Sequence, residues 1–195
     1  MRLDVHAFDL RQSPISLGDQ ESEGTLAKIE PKRDQEISHR VLRHWMEAVP
    51  EDRMAHLVKD ATRGFLRSLQ WRLAKHDVQL GHWTFLRILW QQDGMTKREL
   101  SMEAGVMEPT TVVALRAMEG LGYVRLERKP DNRKNIYVYL TPLGRRLEKR
   151  LVPLAEEVNA IALQGLSTSE VEVTRRAVLS MVRNLAKDEE DRAAG

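Results

Sequence analysis

The chain has 195 residues, 42% of them hydrophobic and 31% charged, with a formal net charge of +2. That length and apolar content suffice for one domain of moderate size with a buried core. There is no cysteine, which excludes disulfides and thiolate-based peroxide sensing, and no apolar run approaches the ~20 residues of a membrane-spanning helix.

Residues 1–35 are punctuated by Ser13-Pro14, Gly18, Gly24 and Pro31 and read as a flexible N-terminal arm. A rival role for this arm is to cross a dimer partner or to lid a pocket. Asp4, Asp9 and Asp19 interrupt any apolar segment, so no signal peptide is expected and the protein is placed in the cytoplasm. Residues 36–76 read as N-terminal helices. Ile37, Val41, Trp45 and Val49 (or Ala48) recur at helical spacing before Pro50. Leu57, Ala61, Phe65, Leu69 and Leu73 then mark a longer amphipathic helix over 51–76.

Residues 77–140 carry the densest set of signals. Gly81 to Gln92 is apolar nearly all round, through Trp83, Phe85, Leu86, Ile88, Leu89 and Trp90, and should be central; Asp93-Gly94 ends it. Thr96 and Glu99 form T-x-x-E, in which the hydroxyl caps the first helical amides while the carboxylate reaches back. Leu100 faces inward, Ala104-Gly105 makes a turn, and a second helix starts near Glu108-Pro109. Thr111, Ala114, Leu115 and Met118 fall on one helical face and should be buried. Thr110, Val113 and Ala117, with Glu108 at the start, then point outward. That face is small and nearly apolar, where an ordinary solvated helix carries charge. In a DNA major groove, small residues permit close approach and contact thymine methyls, and an acidic residue accepts from cytosine N4.

Gly122 ends this helix. Tyr123 to Arg128 and Ile136 to Leu140 read as two strands with alternating faces. The K-P-D-N-R-K-N between them is turn chemistry, and it places Arg128, Lys129, Arg133 and Lys134 around a hairpin tip. Residues 123–150 hold 9 Lys or Arg and 3 Asp or Glu, so 9 − 3 gives a local charge of +6. Such a concentration on one hairpin and the turns of helix that follow it is a footprint for phosphate. The residues expected to touch DNA are Thr96, Lys97 and Arg98; Glu108, Pro109, Thr110, Val113 and Arg116; and Arg128, Lys129, Asp131, Arg133 and Lys134.

Residues 141–188 read as C-terminal helices and 189–195 as a tail. Thr141-Pro142 opens a long helix with Leu143, Leu147, Leu151, Leu154, Val158 and Ile161 in one stripe, bent by Pro153. Ser167 to Glu170 is a second capping box, and Val171, Val178, Met181, Val182 and Leu185 form the last stripe. Long terminal helices with apolar faces predict a two-fold dimer. Its two recognition helices, about 34–36 Å apart, would read a palindrome. The fold class expected is mainly α with one β-hairpin wing: a winged helix-turn-helix flanked by long N- and C-terminal dimerisation helices.

The run GVMEPTTVVALRAMEGLGYVRLERKPDNRKNIYVYLTPLGRRL resembles the core of the multiple-antibiotic-resistance regulator (MarR) family. The matching residues are Gly105-Val106, Pro109-Thr110, Gly122, Asp131 with Arg133, and Leu140-Thr141-Pro142 with Gly144. The resemblance spans roughly residues 51–188. It implies a homodimeric transcription regulator whose wing arginine enters the minor groove of double-stranded DNA. Two positions depart from the pattern. Val113 stands where many relatives carry Arg, and Lys134 replaces a second wing Arg, keeping charge but losing the planar fork.

The resemblance also implies a small, often aromatic and anionic, effector. Trp45, Arg63, Arg67, Trp71, His82 and Trp83 are the candidate ligand residues: a guanidinium for a carboxylate, tryptophan faces for a ring, Trp90 being left to the core. Ligand binding would release a repressor from its operator by population shift. An enzyme is not expected: there is no Gly-rich phosphate loop, nucleophile motif or metal cluster, and His39 and His44 lack a third ligand. No cofactor and no metal site are expected. The alternative, a ligand-binding or scaffold protein without DNA readout, leaves the charge of the hairpin unexplained.

Overall fold

A computed structural model describes residues 31–47, 54–130 and 132–194, with Pro31 and Arg133 described through their backbone alone. Residues 1–30 of the arm, residues 48–53 with Ala48, Val49 and Pro50, the turn residue Asp131 and Gly195 lie outside the described residues. The elements are α1 (Pro31–Glu47), α2 (Met54–Ala74), α3 (Leu80–Gln91), β1 (Met95–Thr96), α4 (Lys97–Ala104), α5 (Glu108–Gly120), β2 (Val124–Lys129), β3 (Asn132–Leu140), α6 (Pro142–Ala162) and α7 (Thr168–Ala194).

The first helix begins at Pro31, five residues inside the stretch assigned to the arm. Proline at the first helical position costs no hydrogen bond, and Asp34 in the first turn complements the exposed amides. Helix α1 lies on α2, with the Trp45 indole N–H donating to Asp60 Oδ2 (3.1 Å). Helix α2 buries only Leu69 and Leu73, near its C-terminal end, while Leu57 and Phe65 of the same stripe remain exposed. The turn after α2 holds Asp77 in the left-handed region (φ 58°) and leads directly into α3.

Helix α3 is central, as its all-round apolarity requires. It buries Trp83, Phe85, Leu86, Ile88 and Leu89 against Leu100, Leu115, Met118, Val138, Leu147 and Leu151. The Trp90 indole N–H donates to the Gly144 carbonyl (2.9 Å) and so ties α3 to the start of α6. Gly144 has no room for a side chain, because a Cβ there would collide with the Tyr123 carbonyl. Asp93, directly after α3, is a three-way fastener. It accepts from the amides of Leu140 (2.8 Å) and Gly94 (3.1 Å) and pairs with Arg145 of α6 (2.6 Å).

The sheet is antiparallel with order β1-β3-β2. It therefore has a third strand beyond the single hairpin expected. Met95 pairs with Val138 and Thr96 with Tyr137. A two-residue strand exists only through pairing with a distant partner, so it leaves no alternation to read locally. Strand β3 also starts at Asn132 rather than Ile136, because Lys129 pairs with Asn132 across the turn after a register shift. Helix α6 packs along α2 and buries Leu147, Leu151 and Val158; Pro153 lies inside it, and the helix continues to Ala162. Helix α7 runs for 27 residues and buries none of them.

Candidate nucleic-acid interface

The helix-turn-helix is built by local hydrogen bonds. The Thr96 hydroxyl accepts from the Glu99 amide (3.2 Å), and the Glu99 carboxylate accepts from the Thr96 amide (2.7 Å) and hydroxyl (2.8 Å). Those bonds hold the Glu99 carboxyl below the usual carboxylate range, with the nearby Lys129 adding to the effect. Gly105 closes α4 in the left-handed conformation (φ 64°). The Ser101 hydroxyl donates to the Val106 carbonyl (2.6 Å), which fixes the turn into α5. Thr111, Leu115 and Met118 are buried and Ala114 is half-buried, so one face of α5 is committed to the core.

The opposite face is open. Glu108, Pro109, Thr110, Val113, Arg116 and Ala117 are all exposed, and Val113 is 70% exposed. Of the residues expected at the start of α4, Arg98 is exposed and Lys97 half-buried. Met107, the residue capping α5, was not anticipated on this surface and is 77% exposed. Its only signal in the sequence is a large apolar residue placed immediately before Glu108-Pro109.

The wing stands beside α5 and is tied to it, since Glu119 accepts from the Leu126 amide (3.3 Å). Its cations lean on aromatic platforms. Arg125 lies over the Tyr139 ring (4.8 Å) and pairs with Glu127; Lys129 lies over the Tyr137 ring (4.1 Å). Tyr139 in turn occupies the space beside Gly94, where an added Cβ would approach its ring to 2.6 Å. Arg128 and Lys134 are exposed. Arg133 belongs to β3, and Asp131 lies outside the described residues.

The six candidate ligand residues do not form one pocket. Arg67 and Trp71 line a cleft of about 390 Å³ between α1 and α2, with Asp34, Ser38, His39 and Arg72. Arg67 bonds only weakly to Ser38 (3.4 Å), whereas Arg72 is held by Glu157 of α6 at 2.9 and 3.0 Å. Lys75 sits over the Trp71 ring at 3.6 Å. Trp45 and Arg63 flank the same helix pair and share Asp60. His82 and Trp83 stand elsewhere, which corrects their grouping with the other four. They are 4% and 7% exposed and belong to the core: His82 meets the Tyr123 ring edge-on at 6.3 Å, and Trp83 meets Trp90 at 5.6 Å. Nothing in their position at a helix start distinguished a lining residue from a packed one.

A helix presented outward on a helix-turn-helix, with a cationic hairpin beside it, defines a winged-helix DNA-binding protein. Residues 78–136 match the model of the MarR family. The chain is 25% identical over 145 residues to the HTH-type transcriptional regulator TtmR of Methylorubrum extorquens, covering 74% of this chain and 71% of that one. It is 26% identical over 114 residues to the transcriptional regulator HosA of Escherichia coli, covering 58% and 84%. Among solved structures, a MarR transcriptional regulator from Methanosarcina mazei superposes with a TM-score of 0.64 at 22% identity, covering 69% of this chain and 96% of that one. BpsR of Bordetella bronchiseptica, whose DNA binding is regulated by 6-hydroxynicotinic acid, superposes with a TM-score of 0.60 at 20% identity, covering 69% and 99%. Over residues 78–136 the chain thus resembles the MarR family, and the relatives it matches are transcriptional regulators.

Proposed function

We propose that the protein is a homodimeric, sequence-specific regulator that binds a palindromic operator and represses until a small aromatic acid releases it. The observation that carries the proposal is the outward face of α5 beside the wing: an exposed helix surface with an uncharged centre at Pro109, Thr110, Val113 and Ala117, next to clustered Lys and Arg. The uncharged face suits base edges and the cations suit phosphates. The dimer is supported by α7, an amphipathic 27-residue helix with no buried side chain, which needs packing to be stable. Among the described residues no helix is long and apolar enough to cross a membrane, and a chromosomal operator would be met in the cytoplasm.

The effector is assigned to the cleft between α1 and α2, with Arg67 holding the carboxylate and Trp71 stacking on the ring. BpsR, regulated by an aromatic acid, supports the class of molecule. A ligand favouring a dimer with mis-spaced recognition helices would weaken operator binding by its differential affinity, typically ~1–3 kcal/mol.

The test is operator binding against salt concentration. Each phosphate contact adds about 0.9 to the slope of log affinity against log salt. Arg133→Ala should weaken binding and reduce that slope by about 2 in a dimer, one contact per wing. An unchanged affinity and slope would remove the wing from the interface. For the effector, aromatic acids should raise the melting temperature of the wild type but not of Trp71→Ala; equal stabilisation of both would reject the cleft.

A further inference from the structure

The outward ridge of α5 has a composition that selects one base. Pro109, Val113 and Ala117 follow each other at i, i+4 and i+8, and all three are exposed. Thr110 and Arg116, also exposed, flank them. On this outward face the charged side chains are Glu108, at its start, and Arg116; Glu119 accepts from the Leu126 amide of the wing. At 1.5 Å per residue the ridge is about 12 Å long, enough to face three to four base pairs stacked at ~3.4 Å.

Val113 stands at its centre and is 70% exposed. A branched aliphatic side chain can neither donate to nor accept from a base edge. Of the four bases, only thymine offers an apolar group in the major groove, its C5-methyl. Any other base beneath Val113 would have a polar edge desolvated against carbon, which is unfavourable unless the polar group finds another partner. The helix that carries Val113 is anchored on its other face: Thr111, Leu115 and Met118 are buried in the core, and Ser101 bonds the turn before it.

We propose that Val113 reads a thymine methyl at the centre of each half-site, so that this protein discriminates thymine from its unmethylated analogue. This rests on the DNA-binding function proposed above and specifies what the helix recognises. Arg116, one turn further along the same face, is placed to take a guanine, whose O6 and N7 match a guanidinium.

The experiment uses the full chain. Bound duplexes are selected from a randomised pool, and each thymine of the enriched half-site is then replaced, one at a time, by deoxyuridine, which removes only the methyl. Affinities are measured by fluorescence anisotropy at fixed salt, for wild type and for Val113→Ala. For the wild type, one central thymine should be sensitive, with an affinity loss of about three- to fivefold per half-site, as expected for one apolar contact of methyl size. With Val113→Ala the same replacement should cost less than about 1.5-fold, while the variant melts like the wild type because its side chain is exposed. If a half-site is enriched but no thymine is sensitive, or the sensitivity persists in Val113→Ala, the assignment of Val113 is overturned and sequence-specific binding stands. If no sequence is enriched at all, the proposed function falls and this inference with it.

Discussion

At the residue scale, a side chain's surroundings decide its chemistry more than its type does. His82 is buried beside Tyr123, and its Nδ1 has no hydrogen-bond partner among the described residues. Burial therefore holds its pKa below the ordinary value of 6.5. His76 is lowered in the same way, by burial first and then by Arg150, whose guanidinium lies 3.1 Å from its ring nitrogen. In both cases the unfolded chain takes up a proton that the native chain resists. Their contribution to stability is complete above about pH 6.5 and is lost as the pH falls below it. Glu99, Glu157 and Glu170 have pKa values lowered from 4.5, so they act at still lower pH. The urea midpoint should therefore fall between pH 7.5 and 5.5, and His82→Gln should flatten that dependence. A dependence of equal steepness in the variant would contradict the buried, neutral imidazole.

At the scale of the element, the helix-turn-helix depends on its caps. The Thr96 side chain holds the first turn of α4 and is itself fixed by Glu99. Thr96→Ala should cost about 1 kcal/mol of stability, measured by denaturant unfolding, and should weaken operator binding in parallel; a neutral result would show that tertiary packing alone sets α4. This box was legible in the sequence because capping is local: residues three apart satisfy each other's amides. The buried face of α5 was legible for the same reason, since helical periodicity places Thr111, Leu115 and Met118 together before any tertiary contact is known. Strand β1 was not, because Met95 and Thr96 become a strand only through Val138 and Tyr137, more than 40 positions away. The role of Asp93 was hidden likewise: sequence showed a helix stop, whereas the structure shows a carboxylate joining α3, β3 and α6. His82 and Trp83 were grouped with a ligand site because aromatic and polar residues at a helix start suit a pocket wall. The packing of α3 on both sides settled them in the core instead.

At the scale of the whole molecule, the exposed apolar surface supports the proposed pairing with a second copy. Leu57, Val58, Phe65 and Leu66 of α2 and Val178, Val182 and Leu185 of α7 are all exposed in the single chain. Scattered apolar residues are ordinary on a surface, but two long helices carrying repeated ones are the mark of an interface. Val182→Asp combined with Leu185→Asp should yield a monomer by light scattering, remove the concentration dependence of melting, and weaken operator binding at least tenfold. A double variant that remains dimeric would place the interface elsewhere. In the proposed dimer, pairing would also set what the wings and the α5 helices can do together, because one α5 spans too few base pairs to discriminate strongly.

The most direct measurement is a hydroxyl-radical footprint of the full chain on a duplex selected from a randomised pool. Two protected patches related by a dyad, with half-site centres about 34–36 Å apart or a whole multiple of that, are expected from paired α5 helices with a wing on each flank. A single patch, or protection without two-fold symmetry, would contradict the presentation of α5 and the wing in pairs.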